Sequence, residues 1–194
     1  ASARAMYYNK DVFAKAGYSE PPQTWDELKA AAQKIKETSP DVHPFGIQGK
    51  EIETDVYFYY AFWAQGGNII MDGKSGIGSD AAIKAAKIYK DFIDSGLTQP
   101  GITSYSREDV QNLFKQGKVA TVITAPFLSN QIKTEAPNLK YGVAPIPAGP
   151  TGDRGTYRVT DSIVLFENSQ AKDSAWKFLD FLFTQTTVEQ TNFA

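Results

Sequence analysis

The 194-residue chain carries 20 Lys and Arg against 22 Asp and Glu, a net charge of −2, with 42% hydrophobic residues. Those proportions exclude a disordered chain, and cations spread along the sequence rather than gathered argue against any nucleic-acid partner. With no cysteine and one histidine, disulfides, thiolate sites and Cys-His catalysis are excluded; no metal or cofactor is expected, and no apolar run reaches the about 20 residues of a membrane span.

Residues 5–9 read as a short strand and 10–16 as a short helix stopped by Gly17. After Pro21-Pro22, Thr24 and Glu27 have the spacing of a capping box. The helix they open runs to about residue 37, with Leu28, Ala31, Ala32 and Ile35 on one face. Pro40 and Pro44 punctuate the way to a strand over 45–48. An aromatic-rich helix is expected over 55–65, ended by Gly66-Gly67. GKSGIG, residues 73–78, lacks a preceding strand and reads as a hairpin turn, not a phosphate loop. Ser79 caps a helix over 80–94, with Ile83, Ala86, Ile88 and Ile93 as its buried stripe and Gly96 as its stop. Ser106 caps another over 107–115, which Gly117 ends. Residues 119–124 form an apolar strand, and Pro126 suits the first position of the helix that follows. Strands are expected over 141–144 and 162–165, and an amphipathic helix over 173–184 carries Trp176, Leu179 and Phe183.

Short strands alternating with capped helices predict an α/β lobe, a mostly parallel sheet with helices on both faces. In such sheets ligands gather at the carboxyl ends of strands. The chain opens inside a strand-like run and stops inside a helix-like one, as a fragment of a longer protein would.

Catalytic patterns are missing. His43 sits in a proline-flanked turn with no nucleophile near it, and no G-x-S-x-G or G-x-G-x-x-G occurs. Paired carboxylates for glycoside hydrolysis, such as Asp55 with Asp161, form one alternative. Aromatic residues at loop-to-helix junctions, Tyr57, Tyr105 and Phe127, form another. A sugar ring has an apolar C–H face and a polar edge, so it stacks on an aromatic ring while carboxylates take its hydroxyls. Residue type alone favours core packing for Phe127. The strand end before it and Pro126 beside it favour a ring presented to a ligand.

YYNKDVFAKAGYSEPPQTWDELKAAAQKI resembles the start of the second lobe in maltose-binding-type solute-binding proteins of carbohydrate ABC importers. The resemblance continues in order through AFWAQGGNII, SREDVQNLFKQGKVATVITAPF, YGVAPIPAGP and SIVLFENSQAKDSAWKFLDFL, covering essentially the whole chain. It implies one lobe, residues 1–194, of a type II periplasmic-binding-protein fold, the first lobe preceding residue 1. It also implies a non-enzymatic receptor, periplasmic or lipid-anchored outside a Gram-positive cell, that delivers a small carbohydrate or polyol to membrane permease subunits. By position, Phe127 falls where the family commonly stacks an aromatic on sugar. Tyr105 matches a tyrosine that approaches the ligand, Asp55 and Tyr57 a polar group and an aromatic at the next helix start, and Asp161 a position lining the cleft. Where many relatives carry a Gly-Gly-Trp-like stretch, this chain has Val159-Thr160-Asp161, which favours a small sugar, polyol or amino sugar over a maltodextrin. Arg154 and Arg158 are the cations available should the cargo be an anionic solute instead.

Overall fold

The computed structural model describes residues 2–50 and 53–185. Contacts divide the chain into two units, one of Arg4–Tyr157 and one of Ala1–Ala3 with Arg158–Ala194. In chain order the elements are β1 (Ser2–Ala3), β2 (Ala5–Asn9), α1 (Lys10–Lys15), α2 (Trp25–Thr38), α3 (Thr54–Ala64), β3 (Ile70–Met71), β4 (Lys74–Ser75), α4 (Asp80–Asp94), α5 (Arg107–Lys115), β5 (Thr121–Thr124), α6 (Phe127–Glu135), β6 (Tyr141–Ala144), β7 (Arg158–Val159) and α7 (Lys172–Asp180).

In the Arg4–Tyr157 unit, β2 is the middle strand of the order β5-β2-β6. It runs antiparallel to both neighbours, pairing Met6 with Ile123 and Ala144, and Tyr7 with Val122 and Val143. Residues 43–46 lie along β5 in parallel through His43↔Val119 and Gly46↔Val122, and Phe45↔Thr98 extends the parallel set. The α/β class and the mostly parallel sheet match the sequence reading: among the described residues the segments at 45 and 98, β5 and β6 run in one direction, and β2 runs against them. Helical crossovers do join strands of one direction, as such connections require. The strand set between β5 and β6 is the exception, and nothing in its local sequence encodes its direction.

Period-two alternation puts Met6 and Tyr8 on one face and Tyr7 on the other. The first face packs with Ile123 against Phe13 of α1, Leu28 and Ile35 of α2, Tyr60 and Phe62 of α3 and Phe92 of α4. The second packs Tyr7 and Val122 against Val110 and Phe114 of α5 and Leu128 and Ile132 of α6. Helices therefore cover both faces, as expected. Each fully buried large side chain contributes about 1.5–3 kcal/mol. The first face is centred on Phe45, whose ring lies 5.3 Å from Phe92 and 6.2 Å from Trp25.

The predicted caps form. Thr24 Oγ1 accepts the Glu27 N–H at 3.1 Å, while the Glu27 carboxylate reaches back one residue further than a standard box, to the Gln23 N–H. Ser79 caps α4, and Gly96 and Gly117 take φ of 61° and 70°, the left-handed stops that a Cβ would strain. Residues 73–78 belong to a hairpin, β3 with β4, followed by a 3₁₀ turn at Gly76–Gly78. The stripe of α4 is corrected: Ala82, Ala85 and Phe92 are buried, whereas Ile83 and Ile93 are 53% and 40% exposed. Alanines on the inner face let α4 come close to α3, and the larger isoleucines turn outward.

In the other unit, β1 and β7 pair antiparallel over Ser2↔Val159 and Ala3↔Arg158. The strand expected over 162–165 does not form; among the described residues no strand lies beside it, and Ile163 and Val164 are exposed. The amphipathic helix is realised as α7, continuing into a π-helical turn at Phe181–Gln185, with Trp176 and Phe183 exposed. Among the described residues no helix is long and apolar enough to cross a membrane.

Gly46 joins this sheet where side chains press in: a Cβ there would lie 2.6 Å from Val110 Cγ1 and 2.8 Å from Val119 Cγ1. Gly46→Ala should lower stability by about 1–3 kcal/mol, the usual cost of overpacking, as read from the denaturant midpoint. An unchanged midpoint would mean that the Val110 and Val119 side chains yield freely there.

Candidate functional site

Several helices begin near the carboxyl end of β5 and of the parallel strand beside it. The junction from β5 into α6 is held on both sides. Before it, the buried Gln111 Nε2 donates to Thr124 Oγ1 at 2.6 Å. After it, the Tyr7 hydroxyl lies 3.0 Å from Ser129 Oγ and donates to the Pro126 carbonyl at 3.4 Å. Burial raises the Tyr7 phenol above its ordinary value, against the Ser129 hydrogen bond, so it stays protonated and able to donate. Pro126 takes the N-cap place with helical angles, φ −60° and ψ −23°, one residue earlier than expected. Phe127 follows as the first helical residue and is 37% exposed.

The start of α5 is built by its capping box: Ser106 N donates to Asp109 Oδ2 at 2.9 Å and Asp109 N donates to Ser106 Oγ at 3.2 Å. Just before it, the Tyr105 carbonyl accepts from Gly49 N and Lys50 N, both at 3.1 Å, and its half-buried ring packs on the second-face core. This ties the end of the 45–48 segment to the entry of α5. Asp55 is exposed in the first turn of α3, where a carboxylate complements the helix dipole.

Tyr57 requires a correction. Its ring is only 5% exposed and its hydroxyl donates to the Ile123 carbonyl at 2.8 Å. Burial drives its phenol well above the ordinary value, so it is a neutral core residue that supports the strand rather than a group beside a ligand. Helical register explains the difference: one residue's rotation separates the solvent side of α3 from its core side. Asp161 is exposed and belongs to the unit containing β7, not to the unit of Phe127, Tyr105 and Asp55. Arg154 donates to Gln23 Oε1 at 3.2 Å and to the Ile146 carbonyl at 3.4 Å.

Three charged residues that the sequence reading passed over converge here. Arg4, just before β2, pairs with Glu53. Arg107 Nη1 lies 3.5 Å from the same carboxylate oxygen, and the Arg107 guanidinium carbon sits 5.2 Å from the centre of the Phe127 ring. Glu53 adopts φ 68° at the N-cap of α3, a left-handed conformation costing a non-glycine residue roughly 1–2 kcal/mol. A carboxylate flanked by two guanidinium groups offsets that strain. The available signal was at Arg107: a cation in the first turn of a helix opposes the macrodipole. The arrangement offers an open ring, fixed hydrogen-bonding groups and matched charges. Among the described residues no three His, Cys, Asp or Glu side chains gather as a metal site.

The profile of one family, described as bacterial extracellular solute-binding protein, matches residues 1–188. A Brucella abortus (strain 2308) protein, named as a binding protein, is 69% identical over 184 residues, 94% of this chain and 45% of its own. The maltose-bound MalE3 of T. maritima superposes with a TM-score of 0.73 at 35% identity, over 80% of this chain and 41% of that one. An ABC transporter solute-binding protein of Thermotoga lettingae TMO with bound α-D-tagatose gives 0.78 at 30% identity, over 93% and 47%. The chain thus spans about half the length of the proteins it matches.

The Asp109 carboxyl is held below its ordinary value, first by the Ser106 N–H and then by the Ser106 hydroxyl. The folded chain keeps it ionised to lower pH than the unfolded chain does. Its stabilisation is complete above about pH 5 and fades as pH falls further. Asp109→Asn should therefore flatten the dependence of the unfolding midpoint on pH below about pH 5; an unaltered slope would show that the cap carries none of the acid sensitivity.

Proposed function

The chain belongs to the bacterial extracellular solute-binding proteins, and from that premise we propose that its parent protein is the receptor of an ABC importer for a small carbohydrate or polyol. The observation that carries the reading is Phe127, an aromatic ring held 37% exposed at the carboxyl end of β5 by a strand end fixed on both sides. A pyranose or furanose ring presents C–H groups that lie flat on such a ring, the contact for which Phe, Tyr and Trp supply area at little entropic cost. In this reading Phe127 stacks, Tyr105 flanks, and Asp55 accepts hydroxyl hydrogen bonds. Tyr57 holds the strand from beneath. The sugar ligands named for the T. maritima and Thermotoga lettingae structures support the same class of cargo.

The whole receptor would have two lobes, this chain supplying the second, and would close by hinge motion on a ligand between them before handing it to permease subunits in the membrane. Its matching over only 41–47% of the two solved relatives supports a missing partner lobe. The family acts outside the cytoplasmic membrane, so the receptor works in the periplasm or as a lipid-anchored protein on the cell surface. The family is one of binding proteins rather than enzymes, which leaves the paired-carboxylate alternative, Asp55 with Asp161, without support.

Calorimetric titration of the full-length protein with a panel of mono- and disaccharides and polyols tests this. At least one should bind, and Phe127→Ala should weaken it by about tenfold or more, the loss of roughly 1.4 kcal/mol of ring contact. No binding by any of the panel at millimolar concentration would overturn the carbohydrate reading.

A further inference from the structure

Arg107 is placed where helix formation does not ask for it. The capping box of α5 is complete through Ser106 and Asp109 alone, and the positive end of a helix disfavours a cation in its first turn. What the side chain does instead is join separate segments. Its guanidinium carbon lies 5.2 Å over the Phe127 ring of α6. Its Nη1 is 3.5 Å from Glu53 Oε1 at the start of α3, and Nη2 and Nε donate to Glu108 Oε1 at 2.8 and 3.1 Å. The side chain is 27% exposed, so it lies at the rim of the site and not in the core.

Resting on the carbohydrate-receptor reading, we propose that Arg107 is a specificity-determining residue of the ligand site: it braces one face of Phe127 and restricts the platform to a single, uncharged sugar ring. A guanidinium over a ring occupies that face and leaves the opposite one to a ligand. A planar cation also stiffens the aromatic against rotation, reducing the entropy lost when a ligand stacks. The charge of Arg107 is already met by Glu53 and Glu108, and Asp55 stands exposed on the same helix start as Glu53. A carboxylate or phosphate on the ligand would have to displace a carboxylate in place or sit beside it, whereas a hydroxyl needs neither. Lysine would keep the charge but not the flat stacking surface or the forked donors.

The test uses the full-length protein with maltose, D-tagatose, D-glucose and D-mannitol as uncharged probes and D-glucuronate as the anionic counterpart of glucose. Arg107→Ala should weaken the best uncharged probe about fivefold, the scale of a rim cation–π contact, and Arg107→Lys should recover little of it. Glu108→Gln, an exposed change that leaves the fold intact, should raise the ratio of glucuronate to uncharged-sugar affinity by about threefold by leaving Arg107 partly unmatched. Thermal unfolding of each variant separates a binding defect from a folding one. If Phe127→Ala loses affinity while both Arg107 variants bind as the parent does, the proposal for Arg107 falls and the receptor reading stands. Tighter binding of glucuronate than of every uncharged probe by the unaltered protein also overturns it. Binding of none of these ligands sinks both.

Discussion

The antiparallel pairing of β2 with β5 is the constraint on which the site depends. Because Ala5 opposes Thr124 and Met6 opposes Ile123, the residue entering β2 arrives beside the residues leaving β5. Arg4 is thereby set near the junction of β5 with α6, although 121 residues of chain lie between Ala5 and Phe127. Were β2 parallel to its neighbours, Arg4 would emerge at the opposite end of the sheet and Glu53 would lose its buried partner. One strand direction thus determines which charges meet which aromatic ring.

The charges themselves are arranged to position groups more than to stabilise the fold. The Arg4–Glu53 pair is largely buried, with side-chain exposures of 3% and 17%. For such pairs desolvation offsets most of the Coulombic attraction, while loss of one partner strands the other at a cost of about 3–5 kcal/mol. The pair therefore fixes Glu53 in a backbone conformation that it would otherwise avoid, and fixes with it the first turn of α3. Arg107 takes the outer side of the same carboxylate and extends the order to Phe127. From Arg4 to the ring, each group is oriented by the one before it.

Much of the fold was legible because its signals are local. Ser79, Ser106, Gly96 and Gly117 announce helix ends through the hydrogen bonds and dihedral angles those residue types permit, and all four act as read. What was not legible depends on partners distant in sequence. Strand direction in β2 is one case. The face of α4 is another, since Ile83-Ala86-Ile93 and Ala82-Ala85-Phe92 have similar helical spacing and only the approach of α3 selects the second set. Residues 162–165 have strand-like composition, yet a ladder needs a neighbour and not merely propensity. The placement of Phe127 at a strand-to-helix junction was legible because strand end, proline and aromatic are contiguous; its role as a platform is the proposal made above. Tyr57 was misread by helical rotation, and the chain of Arg4, Glu53 and Arg107 was invisible because its members are spread over more than 100 residues.

The central claim is that Phe127 is a ligand platform and not a stray surface aromatic. A crystal structure of the full-length protein grown with the tightest-binding sugar of the panel addresses it most directly. The account predicts the sugar's C–H face against the Phe127 ring at van der Waals distance, about 4 Å, on the side away from Arg107. A sugar bound elsewhere, with Phe127 touching only protein or solvent, would contradict it.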